Sequence, residues 1–116
     1  MTNTLTPGQS LSKTQSIRSN NNGYELVLQE DGNLVLYRTI DMKALWASGT
    51  NGKAASRVIM QGDGNLVLYG YENHCSNPLW SSNTADHPSS YLILQDDGNL
   101  VIYYPKDPTW SSNTAS

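Results

Sequence analysis

A nine-residue phrase in which polar residues return at alternate positions occurs three times in the chain. Each copy reads Gln-x-Asp-x-Asn-x-Val-x-Tyr. A structural repeat requires recurring apolar residues, but it does not require two amides, a carboxylate and a phenol to recur together. Three copies of one polar set therefore predict three copies of one binding site. The candidate residues are Gln29, Asp31, Asn33, Val35 and Tyr37, then Gln61, Asp63, Asn65, Val67 and Tyr69, then Gln95, Asp97, Asn99, Val101 and Tyr103.

The chemistry of this set suits the hydroxyl groups of a pyranose sugar. Amides donate and accept hydrogen bonds, an ionised Asp only accepts, and a phenol does both. The Val methyl groups can contact the ring carbons. A sugar epimer with one hydroxyl misplaced would leave a polar group unpaired, which costs about 1–3 kcal/mol. Each set has one carboxylate and no His, whereas Ca²⁺ takes about six or more oxygen ligands, so we expect no metal and no cofactor.

Short β-strands must position these residues. Residues 24–29 and 33–37 are apolar runs rich in strand-forming residues, and Asp31-Gly32 between them is a strong turn signal. Because strand side chains alternate between faces, the leucines should point inward and the polar set outward. The expected core is Leu26, Leu28, Leu34 and Leu36, then Val58, Met60, Leu66 and Leu68, then Leu92, Leu94, Leu100 and Ile102.

Each hairpin is followed by a phrase that begins with tryptophan. Trp46, Trp80 and Trp110 open these phrases, and 15 residues separate Trp46 from Gln61, as they do Trp80 from Gln95. Self-similarity at this period is typical of repeats that share one core. We therefore expect an all-β single domain over residues 1–116, with the tryptophans in its centre.

The three phrases resemble the mannose-binding motif of the monocot, or bulb-type, lectins, and the resemblance extends over about residues 5–116. It implies a β-prism II fold, with three four-stranded antiparallel sheets around a pseudo-threefold axis. It also implies Ca²⁺-independent binding of α-D-mannose. Asp31 and Asn33 would then bind the axial 2-hydroxyl, Tyr37 the 4-hydroxyl and Val35 the ring, with equivalent roles in the other two sites.

The same resemblance implies partners and one departure. Family members commonly dimerise by exchanging C-terminal strands, and residues 108–114 are the candidate segment here. Plant members usually carry a disulfide, and its positions match Gly32 and Ser56 in this chain. Losing it removes about 2–4 kcal/mol of stabilisation but leaves the sugar contacts intact. The absence fits the leaderless members of the family better than the secreted plant proteins.

Composition excludes several other functions. The 116 residues carry a net charge of −3, and their basic residues are scattered, which argues against nucleic acid. No stretch approaches the roughly 18 apolar residues of a membrane span. The N-terminal residues lack a basic segment and an apolar run, so we expect cytoplasmic synthesis without a signal peptide and leave a leaderless export route open. Cys75, the single cysteine, and His74 and His87 are interpreted as loop residues.

Three functions remain to be compared. The leading hypothesis is a multivalent lectin for mannose-containing glycans and glycoproteins. The alternative is a lectin-like bacteriocin or defence toxin that acts on a protein target. A glycosidase is disfavoured, because retaining enzymes need two carboxyl groups about 5 Å apart, and the second copy has Gly62 beside Asp63.

Overall fold

The structure is a computed structural model that describes residues 2–70 and 78–115. These residues form twelve β-strands and no helix, as the sequence predicts. None of them therefore forms a helix with the length and apolar character needed to span a membrane. The strands are β1 (Thr4–Leu5), β2 (Ser10–Ser12), β3 (Ser16–Arg18), β4 (Tyr24–Leu28), β5 (Leu34–Arg38), β6 (Lys43–Ala47), β7 (Ala55–Met60), β8 (Leu66–Gly70), β9 (Pro78–Ser81), β10 (Tyr91–Leu94), β11 (Leu100–Tyr104) and β12 (Asp107–Ser111).

The strands form three four-stranded sheets, in the orders β3-β4-β5-β6, β2-β7-β8-β9 and β1-β10-β11-β12. All of the neighbouring pairs are antiparallel. Each sheet combines the three strands of one repeat with one short strand from the N-terminal segment. The β-prism II architecture is confirmed.

The N-terminal segment supplies a strand to every sheet, which the sequence pattern does not reveal. Strands β1, β2 and β3 have two or three residues each, too few for alternation to be recognised. Each places one apolar residue opposite a core residue of its sheet, and all three are at most 5% exposed. The pairs are Leu5 with Leu92, Leu11 with Val58, and Ile17 with Leu26.

The inward faces of the hairpins meet in one hydrophobic core. All twelve residues that alternation places inside are at most 1% exposed, so this expectation is confirmed. Burying a side chain of this size contributes about 1.5–3 kcal/mol relative to leaving it in water. The core therefore holds the outward residues of each hairpin on a rigid support.

The three tryptophans pack against one another where the sheets converge. Their ring centroids lie 5.3 Å apart for Trp46 and Trp80, 5.4 Å for Trp46 and Trp110, and 5.7 Å for Trp80 and Trp110. Each pair is close to perpendicular, an arrangement that aromatic rings favour. The prediction of a shared tryptophan centre is confirmed, although each tryptophan is only partly buried.

The C-terminal strand completes the sheet of its own chain in this structure. β12 pairs with β11, with Val101 opposite Ser111 and Ile102 opposite Trp110. The segment considered for strand exchange therefore has an intrachain partner, and Trp110 reaches the shared centre from it.

Candidate functional site

The turn of each hairpin is closed by backbone hydrogen bonds and by its aspartate. In the first copy, Gly32 N donates to Gln29 O at 3.0 Å. Asn33 N donates to Asp31 Oδ1 at 2.9 Å, and the other two copies repeat this bond at 3.0 and 2.9 Å. One oxygen of each carboxylate thus holds its turn, and Oδ2 of Asp31 and Asp63 can accept a bond from a ligand.

The glutamine and the tyrosine of each set are joined above the sheet. Gln95 Nε2 donates to Tyr103 Oη at 2.7 Å, and the same bond joins Gln29 to Tyr37 and Gln61 to Tyr69. Because the phenol oxygen accepts this bond, its own O–H remains a donor for a ligand. The bond uses the glutamine Nε2 and leaves its Oε1 as an acceptor.

The asparagine of each set is held by its carbonyl oxygen. In the first copy, Asn33 Oδ1 accepts bonds from Ser48 Oγ at 3.2 Å, Gly49 N at 3.0 Å and Thr50 N at 3.2 Å. The serine and threonine bonds recur at 3.2 Å in the other copies. The amide is therefore oriented with Nδ2, a donor, toward the outer face. Each site presents a carboxylate acceptor beside an amide donor.

The serine and threonine that hold this asparagine are functional residues that the motif analysis missed. Thr50 Oγ1 donates to Gly32 O at 2.7 Å and shares a hydrogen bond of 2.8 Å with Ser48 Oγ. Leu34 N donates to Ser48 Oγ at 3.1 Å. The sequence contains a signal for them, since Ser and Thr follow each Trp by two and four residues. Their equivalents are Ser82, Thr84, Ser112 and Thr114.

The valines form the floor of each set. Val35 and Val67 are 3% exposed and Val101 is 2% exposed, although they point to the outer face. A ligand can therefore touch only the edge of each valine. No cavity is found in the described part of the chain, so binding would take place on an open surface.

A different segment of the chain packs against the glycine of each hairpin turn. A Cβ on Gly32 would overlap the carbonyl oxygen of Lys53, so the matched disulfide position has no room for a cysteine side chain in this structure. The equivalent atom on Gly64 would overlap the carbonyl oxygen of His87, and on Gly98 it would lie 2.7 Å from the ring of Tyr24. The third turn is thus supported by the first repeat.

Two ion pairs involve neighbours of Tyr37. Arg38, next to Tyr37, donates to both oxygens of Asp41, at 3.1 and 2.6 Å. This side-chain hydrogen bonding lowers the pKa of Asp41 to about 2. Glu25, opposite Tyr37 in the sheet, lies 3.6 Å from the guanidinium of Arg18.

The remaining candidate residues do not add a second chemistry. Within residues 2–70 and 78–115, no three His, Cys, Asp or Glu side chains converge on a position where they could hold a metal ion. His87 Nδ1 lies 2.9 Å from Thr84 O, and the ring packs edge-on against Tyr104. The loop assignments of His74 and Cys75 fall outside the described residues.

Replacing Thr84 by valine is expected to lower the free energy of unfolding by about 1–3 kcal/mol, because the buried Gly64 carbonyl loses its partner. The second site should also bind its ligand more weakly, since Ser82, which donates to Asn65 Oδ1, loses its hydrogen bond with Thr84 Oγ1. Urea denaturation measures the loss of stability, and titration of the second site with its ligand measures the weaker binding. Valine at the exposed Thr6 is the control, and equal midpoints for the two variants would contradict the assigned role.

The solved structures most informative for this chain are lectins. Monomeric monocot mannose-binding lectins from Gastrodia elata share 41% identity with it at a TM-score of 0.85, over 99% of this chain and 100% of that chain. The snowdrop (Galanthus nivalis) agglutinin, solved with methyl-α-D-mannoside, shares 38% identity at a TM-score of 0.77, over 98% of both chains. A domain-swapped lectin dimer from Mycobacterium smegmatis shares 47% identity at a TM-score of 0.56, over 92% of this chain and 95% of that chain. Neither a protein-family model nor a curated protein sequence matches the chain.

Proposed function

Because this chain belongs to the bulb-type family of mannose-binding lectins, we propose that it binds α-D-mannose and mannose-rich glycans through its three repeated sites, without Ca²⁺. The protein is a carbohydrate-binding lectin and not an enzyme. The residues proposed to contact mannose are the five of each motif copy. The snowdrop agglutinin, whose structure contains a mannoside, supports the choice of sugar.

One observation carries the proposal, namely that all three copies hold the aspartate by Oδ1 and the asparagine by its carbonyl oxygen in the same way. A sugar hydroxyl donates one hydrogen bond and accepts others, so it can donate to the carboxylate and accept from the amide at once. The amide cannot turn to reverse its polarity, because bonds of 3.0 to 3.2 Å hold Asn33 Oδ1. A hydroxyl that points away from these two groups would leave both unpaired, so we expect each site to prefer one epimer.

Independence from Ca²⁺ follows from the donor set. Each site offers a single carboxylate, and one of its oxygens already accepts a backbone hydrogen bond. The sugar is therefore bound by protein groups directly, and binding should be unaffected by a chelator.

Multivalency compensates for shallow sites. A monosaccharide on an open surface should bind with a Kd of about 1 mM, or roughly −4 kcal/mol. Engaging two sites on one glycan surface raises the effective affinity by a factor on the order of 10²–10⁴. Three sites in one chain provide such linkage without a partner.

A homodimer formed by exchange of β12 is the second part of the proposal. The β11–β12 connection has only two residues, Pro105 and Lys106, and short hinge loops favour swapping. The Mycobacterium smegmatis lectin, 47% identical to this chain, is described as a domain-swapped dimer. Light scattering after size exclusion tests this, and a monomer at all concentrations would contradict it.

The decisive test replaces Asp31, Asp63 and Asp97 by Asn together. We expect loss of retention on mannan and no measurable heat with methyl α-mannoside, because a hydrogen bond to a charged group is worth about 1.5–3 kcal/mol and each site starts from millimolar affinity. The control replaces three exposed acids that are not among the proposed contact residues, as Glu30→Gln, Asp86→Asn and Asp107→Asn, with the same change in net charge. Elution of the native protein equally by glucose, galactose and mannose, or retention of the triple variant, would overturn the proposal.

A further inference from the structure

The three sites share one motif but differ on the edge strand beside the valine. The residue opposite Val35 is Ala47, whereas Ser81 lies opposite Val67 and Ser111 opposite Val101. Residues directly opposite in antiparallel strands have Cβ atoms about 4.5–5.5 Å apart on one face. The two serines therefore border the valine floor of the second and third sites.

Each of these serines is joined to an asparagine two residues later. Ser81 Oγ donates to Asn83 Oδ1 at 2.9 Å, and Ser111 Oγ donates to Asn113 Oδ1 at 2.9 Å. Both asparagines are exposed and have φ values of 58° and 57°. The first repeat has Gly49 at this position, with φ 74°, so its backbone takes a similar path without either side chain.

This pair offers the same hydrogen-bonding combination as the motif itself. The serine gives its proton to the asparagine carbonyl, so its oxygen remains an acceptor and the asparagine Nδ2 remains a donor. A second ring whose linkage directs it over the edge strand would lie beside both groups. Asn65 and Asn99 stay oriented independently of this pair, because the neighbouring Ser and Thr residues hold them.

We propose that Ser81–Asn83 and Ser111–Asn113 form a second sugar subsite beside the second and third sites, and that the first site, with Ala47 and Gly49, recognises a single mannose. This inference rests on the proposed mannose binding. It makes the three sites unequal toward oligosaccharides, with two that select a disaccharide and one that does not.

Isolated sites test the inequality. Asp→Asn replacements at two sites leave the third for measurement, and titration with methyl α-mannoside and with methyl α-mannobiosides of each linkage gives a ratio of affinities for that site. We expect at least one dimannoside to bind the second and third sites about five- to tenfold more tightly than methyl α-mannoside, the gain from one or two added hydrogen bonds. At the first site the two affinities should differ by no more than about twofold, because a dimannoside offers two rings, either of which can occupy the single site.

Exchanging the residues at these two positions between the first and second repeats then tests whether the Ser–Asn pair causes the difference in affinity ratio. Ser81→Ala with Asn83→Gly should reduce the ratio at the second site to that of the first. Ala47→Ser with Gly49→Asn should raise it at the first site, and a Cβ on Gly49 would meet no heavy atom within 4 Å. Asn adopts the required left-handed conformation at both equivalent positions.

The outcomes separate this inference from the proposed function. If no isolated site binds methyl α-mannoside, mannose binding itself is wrong. If all three bind it and the ratios do not follow the Ser–Asn pair in either exchange, the sites are real and the subsite is wrong.

Discussion

Replacing Gly64 by alanine is expected to destabilise the protein by about 3–5 kcal/mol, a value at the upper end for single substitutions. Gly64 has φ 94°, which an alanine adopts only with strain of about 1–2 kcal/mol. The added Cβ would overlap the carbonyl oxygen of His87 and lie 2.8 Å from its carbonyl carbon. Both are backbone atoms, so the whole loop has to move.

The same change should weaken ligand binding at the second site more than at the other two sites. His87 N donates to Asp63 O at 2.9 Å, so moving the loop also moves the residue that supplies the carboxylate. Urea denaturation measures the stability, and titration of the isolated second site measures the binding.

Alanine at Gly62 is the matched control for this prediction. Gly62 lies in the same turn segment, and a Cβ there would meet no heavy atom within 4 Å. We expect the free energy of unfolding of this variant to lie within about 0.5 kcal/mol of the native value, as for surface substitutions generally. Similar losses for the two variants would show that the contact with His87 does not determine the turn.

Replacing Trp80 by alanine is the second change with a large expected effect, about 3–5 kcal/mol. Its ring contacts both Trp46 and Trp110, and each aromatic pair contributes about 0.5–1.5 kcal/mol beyond the area buried. All three repeats depend on this cluster, so the whole fold should be weakened rather than one sheet. Each kcal/mol lost from the free energy of unfolding lowers the Tm by about 4–8 °C in a domain of roughly 100 residues.

Far-UV circular dichroism during urea denaturation checks this second prediction. A single transition at a lower midpoint, with an unchanged slope, is expected. Ile40→Ala serves as the control, because that side chain is 91% exposed. Two separate transitions would mean that the repeats unfold independently, as stacked units of a solenoid do.

The hairpins and their two faces were determined by the sequence alone. Strand alternation and the Asp-Gly turn are local signals, and they placed Leu34 and Leu36 inside and Asn33 and Tyr37 outside correctly. The resemblance to bulb-type lectins then supplied the β-prism and the sugar, which alternation by itself does not specify.

Only the tertiary structure decided how the repeats support one another. Asn21 N donates to Asp96 Oδ1 at 2.9 Å across 75 positions of the chain, and the strands at residues 4–18 each join a different sheet. Contacts of this kind have no local signature, because they depend on which segments the closed prism brings together. The orientation of Asn33 by Ser48 and Thr50 is a contact within the first repeat, and it was recognised only in the structure although Ser and Thr recur at fixed distances from each Trp. The sequence therefore determined which side chains lie on the outer face, and only the folded chain showed which atoms of the aspartate and asparagine are held by hydrogen bonds.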